Sequence, residues 1–383
     1  MLLAAICIAT IARAEVDPSL THTQDWIASS NMTSATGADI QIKIDLARRQ
    51  RDQHDYGQAS KTLVSILDSD APDGFRRTAL LELALTAQQA NQPARAEQVF
   101  GQYIDRFRDD PNLPEVLLRQ GLLYRQMGAQ GMALSKFYAV MTTILNLKLD
   151  SSGYYQRLVL QAQTEIAETY YLQGNYTEAA NFFNRLLKLD TTDLNKSEIR
   201  LKLLHCLEAA GEHEEAVRGA QELLAANPAD AEARFLLALS LQRLGRKQES
   251  LRQVALLLQS PEGKIWKKSV GNEIANQLYS EGDYANALAI YGDLSQIDSS
   301  PGWQVPVLYQ IGLTYERLQQ REQAVAAFSQ AVQHGAALDD KADPGLRVVL
   351  DMAAWRKNYL AWQIQALQDS QAIQPPPVPG KAP

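Results

Sequence analysis

The 383-residue chain has only two cysteines, Cys7 and Cys206. Two thiols so far apart give neither a disulfide framework nor a zinc cluster. It has five histidines, His22, His54, His205, His213 and His334, and no two stand at metal-ligand spacing. His205 and Cys206 are adjacent, but neighbours on a helix point in different directions, so a structural role is expected for both. There is no basic excess. Lys and Arg total 37 against 44 Asp and Glu, a net charge of -7. A nucleic-acid or anionic-membrane surface needs a basic field, so neither partner is expected. Glycine-rich phosphate loops, nucleophile elbows and His-Glu-x-x-His are all missing, and His213-Glu214-Glu215-Ala216-Val217 begins the last pattern but ends in valine. Acidic pairs such as Glu214-Glu215 and Asp339-Asp340 lack the apolar setting that would suit acid-base work. The expectation is a chain without catalysis, metal or cofactor.

Long apolar runs are missing as well, so no integral membrane segment is expected. The longest, Leu2 to Ile11, is followed by Ala12-Arg13-Ala14 and Glu15. An apolar stretch ahead of a small-x-small site reads as a secretory signal over residues 1–14. Ile6 before Cys7 is too large for a lipoprotein cleavage site. Residues 15–38, rich in Ser and Thr, read as a flexible leader.

What the sequence does have is a repeat. Ala59, Ala96, Ala133, Ala179, Ala216, Ser250, Ala287 and Ala324 follow one another at spacings of 37, 37, 46, 37, 34, 37 and 37. Twelve residues before each stands Ala47, Ala84, Gly121, Ala167, Leu204, Ala238, Ala275 or Gly312, small in all but one case. Four residues after each stands Leu63, Phe100, Phe137, Phe183, Ala220, Val254, Tyr291 or Phe328. Five residues before, Gly128, Gly174, Gly211, Gly245 and Gly282 recur. A small residue on one helix, a left-handed glycine turn and a large residue on the next helix spell antiparallel helix pairs. The spacing of 46 carries about nine extra residues, placed near Leu147 to Gly153.

These residues resemble the tetratricopeptide repeat family, whose pattern runs Leu-Gly-x-x-Tyr, Ala-x-x-x-Phe and a closing proline. Tyr124, Tyr170 and Tyr315 take the tyrosine position, and Pro228 the proline of the fifth repeat. The resemblance covers residues 39–340. It implies an all-α fold: an α-solenoid, a right-handed superhelix of about eight such helix pairs, holding a protein or peptide on its concave face. Tyr103-Ile104-Asp105-Arg106-Phe107 through Pro111, Pro114 and Gly121-Leu122-Leu123-Tyr124 looks like bacterial cell-envelope members of the family.

First-helix residues line the concave face in this family. The positions matching a carboxylate clamp carry Leu118 and Leu122, Phe235 and Leu239, and Tyr309 and Leu313, with Asn272 and Asn276 in the seventh repeat, so a clamp for a chaperone tail is not expected. Leu81, Leu85, Leu118, Leu122, Phe235, Leu239, Tyr309 and Leu313 form either the floor of a groove for an apolar peptide or helix, or residues occluded by tight coiling.

After the last repeat, Asp343-Pro344 reads as a helix start, and residues 344–370 as a helix capping the array. Residues 371–383 are a Pro-rich tail. On a helical wheel Leu346, Val349, Leu350, Ala353, Leu360, Ile364 and Leu367 share a face suited to packing on the eighth repeat. The opposite face, expected to be polar, carries Val348, Met352, Trp355, Tyr359 and Trp362 instead. It either docks a partner or a second copy of the chain, or folds into the groove and is buried. The function expected is a non-enzymatic protein-interaction scaffold, exported to the periplasm or cell envelope. The alternatives are a cytoplasmic adaptor and a cell-wall-associated solenoid with binding or lytic activity.

Overall fold

A computed structural model describes residues 35–147, 153–336 and 343–372. Every regular element among them is helical. Eight antiparallel pairs follow one another: α1 Ala35–Asp52 with α2 Tyr56–Leu67, α3 Asp73–Gln89 with α4 Pro93–Arg106, α5 Leu113–Gln126 with α6 Gln130–Asn146, and α7 Tyr154–Leu172 with α8 Tyr176–Leu187. Next come α9 Lys196–Ala210 with α10 His213–Ala226, α11 Ala231–Arg243 with α12 Lys247–Gln259, α13 with α14 Tyr284–Leu294, and α15 Pro301–Arg317 with α16 Arg321–Gly335. Helix α13 runs through Lys264–Val270, a π-helical turn Gly271–Ala275 and Asn276–Ser280. A single helix, α17 Pro344–Ala372, follows the eighth pair. This is an all-α solenoid. Its first helix starts at Ala35, inside the stretch read as leader, while the residues read as signal peptide and Pro-rich tail lie outside the described ones.

The repeat pattern becomes atomic contact. All eight anchors, Ala59 through Ala324, are buried completely or nearly so. Each large residue four positions later is buried with them, and in two pairs the fit leaves no room for a methyl group. A Cβ on Gly121 would lie 2.5 Å from the Phe137 ring, and one on Gly312 would lie 2.4 Å from the Phe328 ring. The fifth pair swaps the sizes. Its first helix carries Leu204 and its second Ala220, and both are buried. Ser250, the one anchor that is not alanine, donates its hydroxyl to the Ala238 carbonyl at 2.7 Å, satisfying a buried polar group.

The turns are equally regular. Gly128, Gly174, Gly211, Gly245 and Gly282 all have φ between 74° and 86°. In the three pairs without glycine the same position holds His54, Asn91 and Gln319, with φ of 63°, 55° and 61°. The left-handed residue is a property of the fold, which three non-glycine side chains tolerate.

The chain divides into two compact units, Met1–Cys206 and Leu207–Pro383, with the boundary inside α9. In the first unit, charged residues link successive first helices. Glu82 of α3 takes both Arg48 and Arg51 of α1. Arg125 of α5 pairs with Glu165 and Glu168 of α7, and Lys202 of α9 reaches Glu168. The longer 46-residue step is met by long helices, 17 residues in α6 and 19 in α7, as well as by the connection. Tyr154 opens α7 and donates to the buried Glu115 carboxylate at 2.6 Å, which also takes Arg119. In the second unit, Lys247 of α12 pairs with Glu281 at 2.7 Å, and Arg317 of α15 donates to the Tyr279 hydroxyl at 3.2 Å.

Ile42 and Leu46 occupy positions that in later repeats are filled by residues such as Val116 and Ile166, which pack on the preceding pair and are fully buried. On α1 both side chains are exposed.

Candidate functional site

The structure divides the expected docking residues into two groups. Leu81, Leu118, Leu122, Phe235, Leu239 and Tyr309 are buried, and Leu85 and Leu313 are half-buried. Neighbouring helices cover them. Phe235 of α11 stacks on Trp266 of α13 at 5.5 Å between ring centroids. Tyr309 of α15 is covered from two sides, by Phe328 of α16 at 5.7 Å and by Met352 of α17, whose Sδ lies 3.8 Å from the Tyr309 hydroxyl. Of the two arrangements the sequence allows, the buried side chains match the occluded one. The first-helix leucines are wide enough to reach the next pair, and burying them there removes apolar area from water.

The second group is displayed. Trp355, Tyr359 and Trp362 are 62%, 43% and 65% exposed, and Met352 and Val348 flank them on the same side of α17, also exposed. The rings form a continuous ladder. Trp355 and Tyr359 stack with centroids 5.3 Å apart and planes 5° from parallel, and Tyr359 and Trp362 follow at 6.2 Å and 27°. Offset stacking of this kind aligns the rings along the helix and fixes their rotamers before any partner arrives.

What holds the ladder outward is the opposite face of α17. Ala353 and Leu360 are buried against the eighth pair, with Leu346, Val349, Leu350 and Ile364 half-buried beside them. Leu350 rests on Gly335, where an added Cβ would lie 2.3 Å from its Cδ1. Arg356 pairs with Glu316 of α15 at 2.7 Å and fixes the rotation of the helix from one flank. Leu367, expected on the packing face, is exposed, as is every residue from Gln365 to Ser370.

His205 and Cys206 are both buried in α9. One carboxyl, Glu165, is buried between α5 and α9. Desolvation pushes its pKa up to about 7, and the Arg125 guanidinium against it opposes that shift. Asp339 and Asp340 lie outside the described residues. Among the described residues no helix is long and apolar enough to cross a membrane, and no group of three or more His, Cys, Asp or Glu is placed to hold a metal ion.

Sequence models of the tetratricopeptide repeat match the chain at residues 78–110, 170–239 and 305–333, covering parts of the second, fourth to sixth and eighth helix pairs. Together with the eight helix pairs, these matches place the chain in the tetratricopeptide repeat family. It is a protein-interaction scaffold. No curated protein matches it. Similar solved structures include a tetratricopeptide repeat protein from Parabacteroides merdae, 16% identical, covering 73% of this chain and 98% of that one with a TM-score of 0.45. MamA AMB-1 is 18% identical over 48% of this chain and 90% of its own, with a TM-score of 0.37. Nearly identical TPR-like repeats from Podosopora anserina are 20% identical over 52% and 95%, with a TM-score of 0.39.

Proposed function

We propose that this scaffold is exported and works in a cell-envelope complex, holding a protein partner on the aromatic face of α17 without catalysis of its own. The observation that carries the docking role is the exposed Trp355-Tyr359-Trp362 ladder. Three large rings in contact on one helix make an apolar patch of several hundred Å², larger than scattered surface hydrophobes and rich in the residue types that dominate binding energy. The rings are also pre-stacked, so little side-chain entropy remains to be lost on binding.

Export is supported by Leu2 to Ile11 and the Ala12-Arg13-Ala14 site, and the envelope setting by the run from Tyr103 to Tyr124. N-terminal sequencing of the protein purified from its native host, together with protease accessibility in spheroplasts, tests export. A mature chain starting at Glu15 and digested from outside supports it, whereas an intact Met1 and a protected chain sink it in favour of a cytoplasmic adaptor. Crosslinking in the same host tests the docking role. The expected result is a stoichiometric envelope protein captured by the wild type and lost with Trp355→Ser/Trp362→Ser.

A further inference from the structure

We infer that the aromatic face of α17 receives a short basic amphipathic helix of a partner protein, whose apolar stripe packs on the rings and whose cationic flank meets Asp351 and Asp369. The inference rests on the docking role proposed above for this face and names the chemistry of the partner.

The first ground is the spacing. Val348, Met352, Trp355, Tyr359, Trp362 and Ala366 follow at steps of 4, 3, 4, 3 and 4, and all are exposed. Steps that average 3.5 residues make the narrow stripe of a two-helix seam. The face is a ridge on one helix, and a helix pairs its backbone groups within itself, so it has no open edge for an extended strand to join. What matches it is the apolar stripe of another helix. Val348 to Ala366 spans about 27 Å, so a helix of about five turns covers it.

The second ground is charge. Asp351 and Asp369 stand 18 residues apart, five full turns at about 100° per residue, so both lie on one line beside Trp355 and Trp362. Both are exposed. Asp369 falls in the last turn of α17, which has no basic residue, and there the helix dipole adds to its negative potential. The two arginines of α17 are committed elsewhere. Arg356, on the other flank, is held by Glu316, and Arg347 has an interaction of its own. A cationic flank on the incoming helix is the complement of this line of carboxylates.

The third ground is area. The three rings with Met352 and Val348 expose on the order of 500 Å². A stable dimer buries about 800 Å² per partner, so a second copy held by this face alone falls short. An exchangeable contact with a single helix is the size of complex that such a face supports.

The test is a titration of the full chain with two synthetic peptides of about 18 residues, both with leucine at steps of 3 and 4. One carries lysine at the remaining positions and the other glutamate. The leucine–lysine peptide is expected to bind with a Kd of about 1–50 µM, and the leucine–glutamate peptide about 3- to 10-fold more weakly, a gap that narrows at high salt. Trp355→Ser/Trp362→Ser should weaken binding more than about 10-fold with helicity and melting temperature unchanged. Asp351→Lys/Asp369→Lys, on an exposed flank, should reverse the order of the two peptides. No binding of the lysine peptide up to about 200 µM, binding that survives loss of both tryptophans, or an order unchanged by the aspartate reversal overturns the inference. So does sedimentation as a dimer that is lost with the tryptophans, which would put a second copy on the face. Failure of the lysine peptide while an envelope protein is still crosslinked through the tryptophans overturns the basic helix and leaves the docking role standing. A bound lysine peptide with no envelope protein captured supports the helix and counts against the envelope setting.

Discussion

At the scale of the residue, two positions in each repeat decide how closely its helices approach and how they are joined. The approach is closest at Gly121 and Gly312, where a Cβ would enter a phenylalanine ring. Gly121→Ala should therefore destabilise the protein by about 1–3 kcal/mol, the usual cost of overfilling a packed core, despite the better helix propensity of alanine. Chemical denaturation should show a lower midpoint. The joint is the left-handed residue five before each anchor. Gln319 holds φ of 61° with an exposed side chain, so Gln319→Gly relieves strain and removes no contact. The relief is about 1–2 kcal/mol, reduced by glycine's extra chain entropy, and a net gain of about 0.5–1 kcal/mol is expected in the melting of the second unit.

At the scale of the element, first helices are tied by charge as well as by apolar packing, and Glu165 of α7 is the tie that titrates. Burial raises its carboxyl from 4.5 to about 7 while Arg125 opposes the shift. The folded state therefore binds the proton more tightly than the unfolded chain. Its contribution is fully present below about pH 4.5 and is lost as pH rises through about 7. Glu165→Gln should flatten the pH dependence of stability between these values. Above pH 7.5 the variant should be more stable than the wild type, by on the order of 1–3 kcal/mol, since an amide still accepts from Arg125 without the cost of a buried charge. Equal slopes for the two proteins would show that the pair behaves as a solvated one. Helix α17 obeys a different rule. It closes the last pair with Ala353 and Leu360 and leaves its second apolar face outside, which a cap serving stability alone has no reason to do.

At the scale of the molecule, each helix pair packs mainly on its neighbours, so stability is a sum of local terms. Phe100, fully buried in α4, belongs to the core formed with Leu83 and Val99. Phe100→Ala should cost about 3–5 kcal/mol. In hydrogen exchange the lost protection should be concentrated in α1 through α6, with α11 through α16 close to wild type. A uniform loss across both units would mean that the array unfolds as one cooperative body.

The sequence by itself determined the repeat. Anchor, small residue, turn and large residue can be read from spacing because each side chain meets a partner at a fixed offset within one pair, a local relation that the chain order preserves. It also showed that α17 has two apolar faces. Which first-helix residues line a groove was decided only by tertiary structure. Leu118, Phe235 and Tyr309 look like a floor in one repeat taken alone, but their burial depends on Trp266, Met352 and other residues of later helices. The same holds for the turns at His54, Asn91 and Gln319, where the geometry of the pair imposed a left-handed backbone that residue type does not announce. Which face of α17 turns inward was settled by Gly335 and Glu316, a notch and a charge on the eighth pair that hold Leu350 and Arg356 and so leave Trp355, Tyr359 and Trp362 to solvent.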